Sequence, residues 1–239
     1  MIKPLTAGPA AGLLTLLAVP ALAQDQHDPV IFHQILIEEA EYRYTDDDEE
    51  SFNWDADAWI GGDFDKLRLK SEGELALDDE EVEEAELQAQ YSRNIGDFFD
   101  AVAGVRYDFQ PESEWYGLIG LHGTAPYRFE VDTALFIDDD ADVTGRFEAE
   151  YEILITQKLV LQPALETNLA FGEFGGSGIG FAFDDVELGL RLRYEIVREF
   201  APYVGINWER ALGDNADDLE DEGEEVDSFA GVAGIRFWF

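Results

Sequence analysis

The sequence predicts an all-β protein, a transmembrane antiparallel up-and-down β-barrel of about twelve strands. Three observations carry this. Apolar and polar residues alternate with period two along most of the chain, the alternating segments run mostly ten to fourteen residues, and the links between them are alternately short and long. A globular strand is usually nearer five or six residues, whereas a strand tilted through a bilayer needs about nine to eleven. Segment length therefore favours a barrel in a membrane over a soluble sandwich, which periodicity alone does not distinguish.

Taken in order, the chain begins with a secretory signal peptide, residues 1–23. Lys3 is its positive start, an apolar stretch covers 10–20, and Ala21-Leu22-Ala23 is a small-x-small cleavage site before Gln24. Residues 24–30 form a short periplasmic lead-in, and 31–239 form the barrel.

The first strand, 31–44, puts His33, Glu39 and Glu41 on one row. The second, 52–61, points Asp55 and Asp57 inward. In 66–77, Leu67, Leu69, Leu75 and Leu77 alternate with Lys66, Arg68, Lys70, Glu72 and Glu74. Strands 83–93 and 98–109 carry Glu84, Glu86, Arg106 and Asp108 inward. Strand 115–125 carries His122, and 127–137 carries Glu130 and Asp132. In 143–156, the row from Val143 through Phe147 and Tyr151 to Ile155 has no charge, while the other row holds Arg146, Glu148, Glu150 and Glu152. Strand 159–171 follows. In 184–197, Val186, Leu188, Leu190 and Leu192 alternate with Glu187, Arg191, Arg193 and Glu195. Strand 202–211 carries Glu209. In 228–239, Phe229, Gly231, Ala233, Ile235, Phe237 and Phe239 line up as one apolar row. On a helix these charges would be scattered around the whole circumference; on a strand each row faces one side.

The even-numbered strands are followed by tight links, such as Gly62-Asp63-Phe64-Asp65 and Gln157-Lys158. The odd-numbered ones are followed mostly by longer, acidic or glycine-rich links, 172–183 and 213–227 among them. Outer-membrane barrels show this asymmetry, with the long loops outside. An even strand number then leaves both termini periplasmic. Tyr42, Trp54, Tyr91, Tyr107, Trp115, Tyr127, Tyr194 and Trp208 suit interfacial girdles.

Charge and composition narrow the function. The chain carries 54 Asp+Glu against 15 Lys+Arg, a formal charge of −39, with no Cys, one Met and three His. Such a surface does not bind nucleic-acid phosphates. Disulfides, thiolate metal sites and cysteine nucleophiles are absent by composition. Ser92 and Ser177 have no His in a recognisable motif, and Gly175-Gly176-Ser177-Gly178 is not a nucleophile elbow. The sequence gives no reason to read an enzyme.

Several blocks resemble the copper resistance protein B family of outer-membrane proteins. They include Trp54-Asp55-Ala56-Asp57-Ala58-Trp59-Ile60-Gly61-Gly62-Asp63, Lys70-Ser71-Glu72-Gly73-Glu74 and Gly104-Val105-Arg106-Tyr107-Asp108-Phe109. Further on come Ala125-Pro126-Tyr127, Glu199-Phe200-Ala201-Pro202-Tyr203, Asn207-Trp208-Glu209-Arg210 and Gly234-Ile235-Arg236-Phe237-Trp238-Phe239. The resemblance runs from about residue 31 to the end. It implies a barrel in outer-membrane lipid that binds copper and contributes to copper tolerance, with a periplasmic multicopper oxidase as a partner. Family members often carry a Met- and His-rich segment before the barrel. Here that region holds His27 and no Met.

With no thioether beyond the initiator Met, carboxylate and imidazole are the donors available, and these favour Cu(II) over Cu(I). His27 sits in Asp25-Gln26-His27-Asp28, His33 shares a row with Glu39 and Glu41, and His122 lies on a strand between those carrying Asp108 and Glu130. These five, His27, His33, His122, Asp108 and Glu130, are the candidate metal ligands. Against them stand two other readings of the inward charges: a passive small-cation channel with an acidic lumen, and ion pairs that simply fill the interior.

Overall fold

A computed structural model describes residues 30–173, 179–223 and 225–239. Twelve strands form one closed antiparallel barrel: β1 (Phe32–Thr45), β2 (Glu50–Gly61), β3 (Asp65–Ala76), β4 (Val82–Asn94), β5 (Phe99–Gln110), β6 (Glu114–Ala125), β7 (Phe129–Ile137), β8 (Val143–Tyr151, resuming as Ile153–Leu154), β9 (Leu159–Glu173), β10 (Ile179–Phe183, resuming as Asp185–Tyr194), β11 (Phe200–Ala211) and β12 (Asp227–Trp238). Each strand pairs with the next, and β12 pairs back on β1. Closure is completed by the C-terminal residue, because Phe239 exchanges two backbone hydrogen bonds with Ile35, at 2.9 and 3.0 Å. A barrel closed in this way leaves no open edge.

The alternation sorts side chains inside out. Leu67 and Val204 are 62% and 59% exposed on the outer wall, while Glu41 and Arg193 on the inner wall are 0% and 1% exposed. A water-soluble barrel would do the reverse; the outer apolar band belongs in lipid. Aromatic rings gather at both ends of the band. Tyr107 packs on Phe109 and Trp115 at the long-loop end, and Phe129 on Tyr151 at the short-turn end. Val102, Leu118, Ala134 and Phe136 form a small apolar patch on the inner wall across β5 to β7.

Three features depart from the sequence expectation. The glycine-rich link expected over 172–183 is strand at both of its described ends: Leu169 to Glu173 of β9 pairs with Phe183 to Ile179 of β10. The acidic run expected as a loop over 213–227 forms a helix, α1 (Gly213–Glu222), closed by Gly223 at φ 84°, whose N–H donates to Leu219 and Glu220 carbonyls. Only a residue tolerating left-handed backbone ends a helix so tightly. Third, β1 carries a bulge at Glu38, between Ile37, paired with Ala56, and Glu39, paired with Asp55. The extra residue reverses the strand's phase. His33 therefore does not share the inward row of Glu39 and Glu41. It pairs with outward-facing Ile60, while its neighbour Gln34 turns inward and accepts a hydrogen bond from Trp59 at 3.0 Å.

Candidate functional site: the charged lumen

Twelve strands enclose a lumen wide enough for solvent between its side chains. Two chambers stand out in it among the described residues. The one toward the long loops is about 450 Å³, lined by fourteen carboxylates and four arginines. The one toward the short turns is about 340 Å³ and is more evenly charged, with Lys66, Arg68, Lys70 and Arg236 facing eight carboxylates and His122. Asp55, Glu148 and Glu150 line both.

Buried charge needs a partner, and most of these have one. On the β1 side of the lumen, Arg191 Nη2 lies 2.6 Å from Glu39 and its Nε 2.8 Å from Glu41, which Arg43 also contacts at 2.9 Å. The β1 bulge makes this possible: it sends Glu39 to Arg191 and Glu38 to Arg236, at 3.1 Å, from adjacent positions. On the other side, Arg146 and Lys70 link β8 and β3 through Glu72, Glu86 and Glu148.

The chamber at the short-turn end holds the imidazole. His122 on β6 stands directly across from Asp132 on β7 and Asp100 on β5. Its Nδ1 is 3.2 Å from Asp132 Oδ2, and its side chain is 40% exposed to the lumen. A carboxylate on Nδ1 fixes the ring's orientation and leaves Nε2 to face the cavity, the way metal-binding imidazoles are held from behind. Asp100 is already engaged, accepting from Lys66, Ser92 and Asn94.

The five candidate ligands are thus distributed unevenly. His122 and Glu130 line the same chamber. Asp108 does not join them: it sits opposite Glu114 at the long-loop end and is held by Arg106 at 2.6 and 2.7 Å. It is eight residues along β5 from Asp100, the residue facing His122, or roughly 26 Å at strand rise. His33 faces outward. His27 lies outside the described residues. Asp132 was legible as an inward residue but not as the partner of His122, because cross-strand register is set by turns and bulges that the pattern does not display. Among the described residues, no group of three or more His, Asp or Glu side chains is arranged to hold a metal ion. The donors present are one oriented imidazole and many hard oxygens, which fits Cu(II) more readily than Cu(I).

Comparison with known proteins agrees with the architecture and narrows the family. Residues 31–239 match the family described as "Copper resistance protein B precursor (CopB)". A copper resistance protein B of Escherichia coli is 40% identical over 214 residues, covering 89% of this chain and 71% of that protein. A copper resistance protein B homolog of Pseudomonas syringae pv. tomato is 38% identical over 214 residues, covering 89% and 72%. Among solved structures, the NanC porin superposes with a TM-score of 0.52 at 9% identity, over 85% of this chain and 98% of that one. The KdgM porin gives 0.50 at 13% identity, over 86% and 99%. At such identities the two porins speak for the fold alone.

Proposed function

Because this chain belongs to the copper resistance protein B family, we propose that it serves copper resistance as an outer-membrane barrel that takes Cu(II) into its lumen, with His122 as the imidazole ligand. The observation that carries this is the His122–Asp132 pair inside an acidic chamber. Asp132 holds the ring, Nε2 is the donor atom, and surrounding carboxylates attract and desolvate the ion. Glu130, in the same chamber, is the proposed oxygen ligand. Copper is cargo in this scheme, and no redox step falls to the barrel. His27 in the lead-in is proposed as a separate Cu(II) contact. In this reading the termini and short turns face the periplasm, where a multicopper oxidase would meet the chamber holding His122.

The test is retention and spectroscopy of copper on the folded barrel. Wild-type protein loaded with Cu(II) and desalted is expected to keep copper in preference to Zn(II) and Ca(II), with imidazole nitrogen coupling in the electron paramagnetic resonance signal. His122→Ala should abolish that nitrogen signal. Asp132→Asn should weaken retention about tenfold, the usual scale for losing a group that orients a ligand. His33→Ala should change nothing, and His27→Ala should remove only copper bound at the lead-in. Copper retention indifferent to His122→Ala, or equal retention of all three ions, would sink the lumen site.

A further inference from the structure

Lys70 and Arg146 do something unusual for residues on a barrel wall. Each reaches across the lumen. In the ring of twelve, β3 and β8 stand five strands apart, close to opposite. Lys70 extends from β3, and its Nζ lies 3.7 Å from Glu148 on β8 and 4.0 Å from Asp132 on β7, besides 3.0 Å from Glu72 on its own strand. Arg146 extends the other way, from β8 to Glu72 on β3 and to Glu86 on β4 at 3.0 Å. The two cations therefore cross the barrel in opposite directions at the level where the chambers meet.

They are not held alike. Arg146 binds Glu86 through both terminal nitrogens, at 3.2 and 3.0 Å, also contacts Glu72, and has Glu166 at 3.4 Å. A planar fork fixed at several points does not move easily. Lys70 is a point charge on a flexible stem, with one close carboxylate and two at the limit of pairing. The carboxylates around it are under-neutralised. Asp55, which lines both chambers, has its Oδ1 buried without a hydrogen-bond partner.

We propose that Lys70 is a tethered counter-ion that closes the lumen: its ammonium occupies the point where a mobile cation would pass between the chambers, and it must be displaced for one to do so. Arg146 is the fixed part of the bar and Lys70 the movable part. The cation that replaces Lys70 gains the carboxylates of Glu72, Glu148 and Asp132 in its place. This deepens the reading of the lumen as the cation-handling part of the barrel and does not depend on copper.

The chain contains no cysteine, so Lys70→Cys introduces a sole thiol and allows the charge to be removed and then restored in one molecule. Wild type, Lys70→Arg and Lys70→Cys would be inserted into planar lipid bilayers in KCl without copper. Wild type and Lys70→Arg should conduct little. Lys70→Cys should conduct roughly tenfold more and prefer K⁺ over Cl⁻, as an acidic lumen freed of its blocking cation would. Adding 2-aminoethyl methanethiosulfonate should restore an ammonium through a disulfide, expelling methanesulfinate, and return the conductance to near the wild-type level in the same channel. Lys70→Gln repeats the opening with a side chain that still hydrogen-bonds, should the cysteine variant fold poorly. Equal conductance in wild type and the neutral variants overturns the proposal. So does an opened channel that aminoethylation leaves open. Copper retention is measured separately, so loss of the His122 site and loss of the bar are read independently.

Discussion

Arg191→Met is expected to cost the barrel about 3 kcal/mol or more of unfolding free energy, the scale for removing one partner of a buried ion pair. Glu41 is fully buried and accepts from Arg191 through both oxygens, at 2.8 and 3.1 Å. Arg43 remains beside it at 2.9 Å, but Glu39, which also depends on Arg191, is left facing Arg43 at only 3.6 Å. Without the guanidinium, two carboxylates close together share one cation. The sequence makes room for this group: a side chain at Gly189, two residues earlier on β10, would place its Cβ 2.5 Å from Arg191 Nη1. Urea unfolding in lipid vesicles, followed by tryptophan fluorescence, measures the loss. Adding Glu41→Gln to Arg191→Met should recover most of it, since a stranded buried charge costs more than the contact it has lost. A loss below about 1 kcal/mol, the scale of an exposed pair, would mean that water reaches Glu41 after all.

The second large effect is expected from one methyl group. Gly104 on β5 faces inward, and a Cβ built there would lie 2.1 Å from the Ala89 carbonyl oxygen and 2.8 Å from Gln90 Cα on β4. Both neighbours are backbone within a continuous ladder, so neither moves without separating β4 from β5. Overpacking against yielding side chains costs about 1–3 kcal/mol; against ladder backbone, Gly104→Ala should exceed that range and prevent the heat-modifiable, compact form from appearing on gels. Gly231→Ala on β12 is the matched control. Nothing lies within 4 Å of its Cβ position, and the change should stay within about 0.5 kcal/mol. If the two variants fold equally well, close approach of β4 to β5 is not what Gly104 secures.

Most of the barrel was legible because a strand with lipid on one side and charge on the other writes its period directly into the sequence. Strand β3 is an example: Leu67 and Leu69 alternate with Arg68 and Lys70 whatever lies beside them. Pattern reading failed where a single residue changed the phase. Glu38 reads as one more polar residue, yet as a bulge it turns His33 to the outer wall and brings both Glu38 and Glu39 to bear on the lumen. The site was legible only in part, for a related reason. Outside β1, residue types showed which side chains face inward, but His122 with Asp132, or Lys70 with Glu148, are matches between strands. Those depend on register and on reach across the ring, which no single strand encodes. Asp108 and Glu130 sit on the two strands flanking His122 and could not be ranked from sequence. Register decides it, placing one at each end of the barrel.

The chamber at the long-loop end, with fourteen carboxylates and four arginines around about 450 Å³, is expected to act on diffusible ions as a Donnan compartment. Its immobile charge sets a standing potential at the mouth, and every diffusible ion distributes against it according to valence. A doubly charged aqua ion is enriched as the square of the factor that enriches K⁺, while chloride is depleted by that same factor. A metal carried as an anionic chelate should therefore be turned back at the entrance, and the same metal as a free cation concentrated there. Raising the salt outside flattens the difference, because added counter-ions screen the fixed charge.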